Sequence, residues 1–247
     1  MSTTRASPAL SSMLKKHPLQ RMYSPSRTAS AVIHTLGLAS FAYSFVWLET
    51  HPNHINQSYG WHFQYLTIIG LTLATLTFIL GILSDMTYSR RLFYLKNLTS
   101  MCSAPMETLI SLLYWGLRAI DPALVVPPEL ELPLATDLSF HAIPTLMLLV
   151  DLLLLSPPWT ISAVPALTLS AVIAFTYWFW IELCFSKNGF YPYPLFDVLN
   201  STQRVALFGS SAVVMTGSTI MIKWLYRQIN GGSDRTSRPG NIRTSGR

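Results

Sequence analysis

The feature that most constrains this chain is where its charges are not. Lys, Arg, Asp and Glu gather into a few short stretches, and between them run apolar segments of about twenty residues each. A helix of about 20 residues crosses a hydrocarbon core of about 30 Å. The segments are Ser30–Glu49, Gln64–Ser84, Ser100–Ala119, Leu138–Ser156, Ile161–Phe185 and Gln203–Tyr226. Helices satisfy every backbone group inside lipid, whereas a barrel would show shorter alternating segments. The expected fold is therefore all-α, a bundle of six transmembrane helices forming one domain over residues 30–226. Residues 1–29 read as a disordered basic arm and residues 227–247 as a disordered basic tail rich in Gly, Ser and Arg. Only 11% of the residues are charged, against about a quarter in a soluble domain.

The basic residues set an expected orientation. Five Lys or Arg lie in residues 1–29, three in Asp85–Asn97 and six from Lys223 onward. The intervening loops Thr50–Phe63 and Ile120–Asp137 have none, and Ser186–Thr202 has only Lys187. Basic residues stay on the cytoplasmic side, so both termini are expected there. The same placement accounts for the net charge of +6 without nucleic acid as a partner. The arm has no apolar signal region, so the first span is expected to direct insertion. Cys102 and Cys184 fall near opposite membrane faces, beyond disulfide reach.

Ionisable residues inside a membrane are costly and need individual reasons. At the outer level lie Asp137 and His141 on the fourth span, Arg118 on the third, Glu182 on the fifth and Arg204 on the sixth. Thr67 on the second span sits at the depth of His141. Thr67, Gly70, Ala74 and Gly81 form one stripe of small residues, a packing face. Asp137, His141, Pro144, Leu148 and Asp151 form another, which turns the polar groups of the fourth helix inward. Asp137 precedes His141 by four residues, within reach to orient its ring, although an Asp near a helix start also serves as an N-cap. Pro144 cannot donate to the Phe140 carbonyl, which opens the helix beside His141. A membrane Thr commonly bonds back to its own helix, as expected for Thr72, Thr75 and Thr77. Arg118 and Arg204 are read either as snorkelling or as binding a substrate carboxylate. Glu107 and Asp151 lie in the inner half, too deep for the outer site. Protonation, pairing through water or another function all stay open for them. His34 reads as structural. His51, His54 and His62 match no zinc spacing, so no metal and no cofactor are expected.

Three stretches together resemble one family. Trp61-His62-Phe63-Gln64-Tyr65-Leu66-Thr67 is similar to the aromatic-Tyr-Leu-Thr signature of the androgen-induced protein 1 family, which includes the androgen-dependent regulator of tissue factor pathway inhibitor. Asp137-Leu138-Ser139-Phe140-His141, followed by Pro144 and a Leu-rich run, looks like its His-containing helix. Asn188-Gly189-Phe190-Tyr191-Pro192-Tyr193-Pro194, with Leu195, resembles its Gly-aromatic-Tyr-Pro loop. The similarity spans most of residues 30–226. It implies an integral-membrane hydrolase of fatty acid esters of hydroxy fatty acids, with Thr67 as nucleophile and His141 as base. The implied partners are membrane lipids and a lipid ester, with no obligate protein partner. The implied location is the endoplasmic reticulum, another endomembrane or the plasma membrane.

Two other classes fit the residues alone. A small transporter or channel would link the outer cluster to Glu107 and Asp151 by an aqueous path, and a scaffold would need only the helices. The orientation has its own test. Asn56-Gln57-Ser58 and Asn200-Ser201-Thr202 are expected on the luminal side and Asn97-Leu98-Thr99 in the cytoplasm. A glycosylation tag inserted into Pro127–Pro133 should be modified, and one placed after Gly232 should not. The reverse pattern would invert the topology.

Overall fold

The computed structural model describes residues 27–126 and 130–230. The remaining parts of the expected arm and tail, residues 1–26 and 231–247, lie outside the described residues. Among the described residues the chain is helical, without strands. The long helices are α1 (Arg27–Thr50), α2 (Leu66–Thr87) and α3 (Arg90–Ile120). After them come α4 (Leu134–His141), α5 (Ile143–Val150), a wider π-type turn at Asp151–Leu155, α6 (Ala163–Asn188), the single turn α7 (Leu195–Val198) and α8 (Ser201–Asn230).

Among the described residues four helices are long and apolar enough to cross a membrane: Ala29–Thr50, Leu66–Thr87, Ala163–Asn188 and Ser201–Asn230. Leu134–His141 and Ile143–Leu155 make a fifth if the pair, bent by 45°, counts as one span. The bend falls at Ala142, whose backbone leaves the helical region, just ahead of Pro144. A proline that withholds its amide hydrogen is the usual cause of such a break.

Helix α3 departs from expectation in an instructive way. It runs for 31 residues and begins at Arg90, ten residues before the expected Ser100. It is long enough to span but falls short in apolarity, because it turns polar groups inward. Lys96, Ser100, Ser103 and Glu107 are all buried. Lys96 reads from sequence as a cytoplasmic loop residue. It is only 1% exposed.

Its partner is Asp151. The Lys96 ammonium lies 2.5 Å from Asp151 Oδ2 and donates to Ser156 Oγ at 2.6 Å. On the other side of Asp151, His34 Nε2 stands 3.0 Å from Oδ1, and His34 Nδ1 reaches Asp85 at 2.7 Å. One buried carboxylate thus ties α1, α3 and the π turn together, and His34 carries the link on to α2. Gly81 lets the His34 ring in: a Cβ there would stand 2.5 Å from Nε2. Higher up, Ser44 donates to Ser139 Oγ at 2.9 Å and Tyr43 bonds Thr136 at 2.9 Å, holding α1 against α4. Hydrogen bonds of this kind and close packing, rather than hydrophobic attraction, hold helices together in lipid. Thr72, Thr75 and Thr77 bond back to Ile68, Leu71 and Leu73, as expected. Cys102 and Cys184 are both free.

Removing one partner of a buried ion pair strands the other charge, at a cost of about 3–5 kcal/mol. Lys96→Met should therefore lower the thermal stability of the purified protein far more than Arg91→Met, which removes an exposed side chain. A melting curve in detergent checks the difference.

Candidate functional site

The site gathers where three segments distant in sequence meet around the start of α2. The loop ahead of α2 is fixed to α6. Tyr177 donates to the Gln64 carbonyl at 2.8 Å and Trp180 Nε1 to the Phe63 carbonyl at 3.0 Å. Asn188 bonds both the amide and the carbonyl of Tyr59. These bonds set where α2 begins, and therefore where Thr67 stands, one residue into the helix and 7% exposed.

Tyr193, from the loop before α7, comes down on that helix start. Its hydroxyl accepts the Leu66 amide at 3.1 Å and also bonds Thr67. Burial pushes the Tyr193 hydroxyl pKa up, keeping its proton in place. Sequence reasoning counted the loop as a family signature but gave Tyr193 no role. Nothing in spacing ties a loop residue to a helix start 127 positions away.

Across from Thr67, His141 ends α4 at the bend. Its Nδ1 meets Asp137 Oδ1 at 2.8 Å, four residues earlier on the same helix. Asp137 also lies 3.5 Å from the Arg118 guanidinium. The carboxylate is thus engaged with side chains, while α4 has no side-chain cap. The Tyr114 ring lies flat on the imidazole, with centroids 3.5 Å apart and planes 4° from parallel. Arg118 in turn donates to the Tyr114 hydroxyl at 2.9 Å. The His141 carbonyl, at the break in the helix, accepts from Ser111 and from Trp115 Nε1. With Nδ1 bonded to a carboxylate, the imidazole is fixed in orientation and Nε2 is the nitrogen left to take a proton.

Two cavities meet here. The first, about 100 Å³, runs between α3, α6 and α8 and is almost wholly apolar, with Met106, Leu109, Leu113, Ile173, Phe208 and Met215 in its wall. The second, about 110 Å³, opens toward the loop side and includes Asn53, His62, Tyr65, Phe140 and His141. Thr67, Tyr114, Val125 and Tyr193 line both. Thr67 and His141 therefore face one space, and Thr67 also faces the apolar one. Burial pulls the His62 pKa down to about 4, so His62 borders the second cavity as a neutral imidazole.

Other expected residues fall elsewhere. Arg204 lines neither cavity. Its guanidinium donates to the Phe196 carbonyl at 2.7 and 3.2 Å, meets Glu182 at 3.3 Å, bonds Tyr191 and lies over that ring at 4.5 Å. Arg118 is likewise held by Asp137 and Tyr114, outside both cavity walls. Two helix-start amides are already engaged, Leu66 by Tyr193 and Gln203 by the Asn200 side chain at 2.9 Å. Glu107 lies nearer the site than its depth in sequence implied. Its Oε1 would be 2.6 Å from a Cβ at Gly70, one turn along α2 from Thr67. No group of three or more His, Cys, Asp or Glu among the described residues could hold a metal ion.

The three segments at this site are the ones whose motifs carry the family resemblance, and comparison with known proteins agrees with it. The FAR-17a/AIG1-like protein family model matches residues 29–227. The chain belongs to the FAR-17a/AIG1-like family. Over 206 residues it is 34% identical to the UPF0641 membrane protein PJ4664.05 of Schizosaccharomyces pombe (strain 972 / ATCC 24843), covering 82% of this chain and 92% of that one. No solved structure matches the chain. Membership in this family and the long apolar helices make it an integral membrane protein.

The contacts of Arg204 yield a prediction independent of any activity. Arg204→Gln should release the loop from Phe190 to Leu195 and speed its cleavage by added protease. An unchanged cleavage rate would mean that the aromatic contacts alone hold the loop.

Proposed function

We propose that this family member is a lipid-ester hydrolase in which Thr67 is the nucleophile and His141 its general base. The membrane arrangement proposed with it is six spans, α3 and the bent α4–α5 helix included, with both basic termini cytoplasmic. The observation that carries the reading is the cavity that Thr67 and His141 share, with Asp137 behind the imidazole. A Thr hydroxyl is a weak nucleophile until a neighbouring base takes its proton.

His141 Nε2 accepts the Thr67 proton as Oγ1 attacks the ester carbonyl carbon. The charge gathers on the former carbonyl oxygen. Tyr193 is the proposed donor to it, since its hydroxyl stands against Thr67 with its oxygen already accepting the Leu66 amide. The imidazolium, held by Asp137, then gives the proton to the departing alkoxide, which leaves as an alcohol. A water activated by the same imidazole attacks the acyl-Thr ester, releasing a fatty acid and restoring Thr67. The apolar cavity suits an acyl chain, and the more polar one suits the limb that leaves. The proposed substrates are fatty acid esters of hydroxy fatty acids. The basic side chains Arg118 and Arg204 are committed to protein partners, so the reading assigns neither to the substrate carboxylate.

Fluorophosphonate labelling and ester turnover in membranes test the pair. Thr67→Ala should abolish both without lowering protein yield. His141→Ala should be nearly as damaging, and the double variant scarcely worse than either single, as for residues that act as one unit. Wild-type turnover by Thr67→Ala would end the reading. Removing one oxyanion donor costs about 10²–10³ in kcat. Tyr193→Phe should show a loss of that order, with KM changed little; a change confined to KM would make Tyr193 a binding residue instead.

A further inference from the structure

A polar face on α3 runs through the interior of the bundle. Asn97, Ser100, Ser103 and Glu107 are buried and follow one another at steps of three or four residues. They cover about 15 Å of helix, half of a hydrocarbon core. Ser103 is paired with Thr77 at 3.1 Å. Both amide atoms of Asn97, the Ser100 hydroxyl and both carboxyl oxygens of Glu107 have no partner within the protein. Each buried polar group left in that condition costs about 1–3 kcal/mol, and native interiors hold few. Groups of this kind are met by internal water, which takes two to four polar partners.

The ends of the face differ. Beside Asn97 lies Lys96, which is paired with Asp151, a carboxylate that His34 also bonds. At the other end the Glu107 side chain is fully buried, lies against Gly70 and meets no cation. A carboxylate ion there would be uncompensated, at a cost of several kcal/mol, whereas the neutral acid is not. Its proton is also a donor that an internal water can accept.

We infer that α3 carries a proton-binding site: Glu107 is a neutral carboxylic acid one turn below Thr67, hydrated along Ser100 and Asn97 from the end of the bundle that holds Lys96 and Asp151. The ligands are a proton and water. The inference stands whether or not Thr67 is a nucleophile, since it rests on the orphaned polar atoms and on the fit of Glu107 against Gly70.

Infrared spectra of the full chain in lipid at neutral pH test it. A neutral acid has a carbonyl stretch that stands apart from carboxylate and amide bands and falls in frequency when the proton exchanges for deuterium. The wild type should show that band, heavy water should shift it, and Glu107→Gln, which keeps the side-chain shape, should lack it. The double variant Asn97→Leu, Ser100→Ala should keep the band and slow its shift in heavy water at least tenfold. Absence of a Glu107-dependent band would mean an ionised group and overturn the site. A band that heavy water leaves unmoved would mean a dry one and overturn the hydration, and exchange at the wild-type rate in the double variant would overturn the route.

Discussion

Asp151 has no exposed surface, and one half of the bundle is arranged around neutralising it. An isolated carboxylate at that place would be intolerable, so Lys96 from α3 and His34 from α1 must reach it, and both do. Because Asp151 belongs to the bent helix, this cluster pins the C-terminal end of that helix against its neighbours. The other half is fixed separately, by Ser44 and Tyr43 of α1 and by the Asp137 contacts. Between two such anchors the strain-free place for a change of direction is the residue pair ahead of Pro144, where a backbone bond is missing anyway. The bend leaves His141 at a helix end, its carbonyl taken by Ser111 and Trp115 and its ring clamped between Asp137 and Tyr114. Electrostatics at one end of the bundle thus helps set side-chain geometry at the other.

Much of this was legible in the sequence, for reasons that can be named. Apolar segments bounded by charge declare helices in lipid, and the four- and three-residue steps from Asp137 to Asp151 declare an inward face. The reach from Asp137 to His141 needs only helical geometry. What stayed hidden depends on contacts between distant segments. Lys96 looked like a loop residue because hydropathy assumes that charges avoid the interior, and it cannot see a partner 55 positions away. The ten extra residues of α3 were missed for the same reason: a helix that buries its polar face resembles a polar linker. Arg204 at a helix start suggested a free cation awaiting an anion. Glu182, 22 positions earlier, and the Phe196 carbonyl already occupy it.

The Arg204 contacts show how the loop after α6 is held. Gly189 ends α6 in the left-handed conformation that L side chains rarely adopt, with φ +76°, which turns the chain back over the bundle. Tyr191 then stacks on Phe185 and meets Glu182 and Arg204, while Phe196 packs on Phe208. The loop is held at both ends, and Tyr193 between them is carried down to the first turn of α2. A flexible loop could not keep a hydroxyl against Leu66 and Thr67. The aromatic and proline residues of the loop are best understood as the means of stiffening it.

The two environments at Thr67 bear on why the proposed chemistry would need both cavities. Ester hydrolysis inside a membrane asks for contradictory surroundings. The acyl chain has to lie among apolar walls, and the developing charge and the hydrolytic water have to meet fixed dipoles. An apolar pocket alone would raise the energy of the oxyanion, and a wet one alone would exclude the chain. Thr67 lies on the boundary, with Met106 and Phe208 along one cavity and His141 and His62 along the other. Tyr114 and Tyr193 line both cavities, and their hydroxyls bond Arg118 and the Leu66 amide. A tyrosine suits that position because one end is apolar and the other can hydrogen-bond. Phenylalanine would serve the apolar wall as well, so it is the hydroxyls, bonded to Arg118 and to the Leu66 amide, that argue for a site where charge is handled.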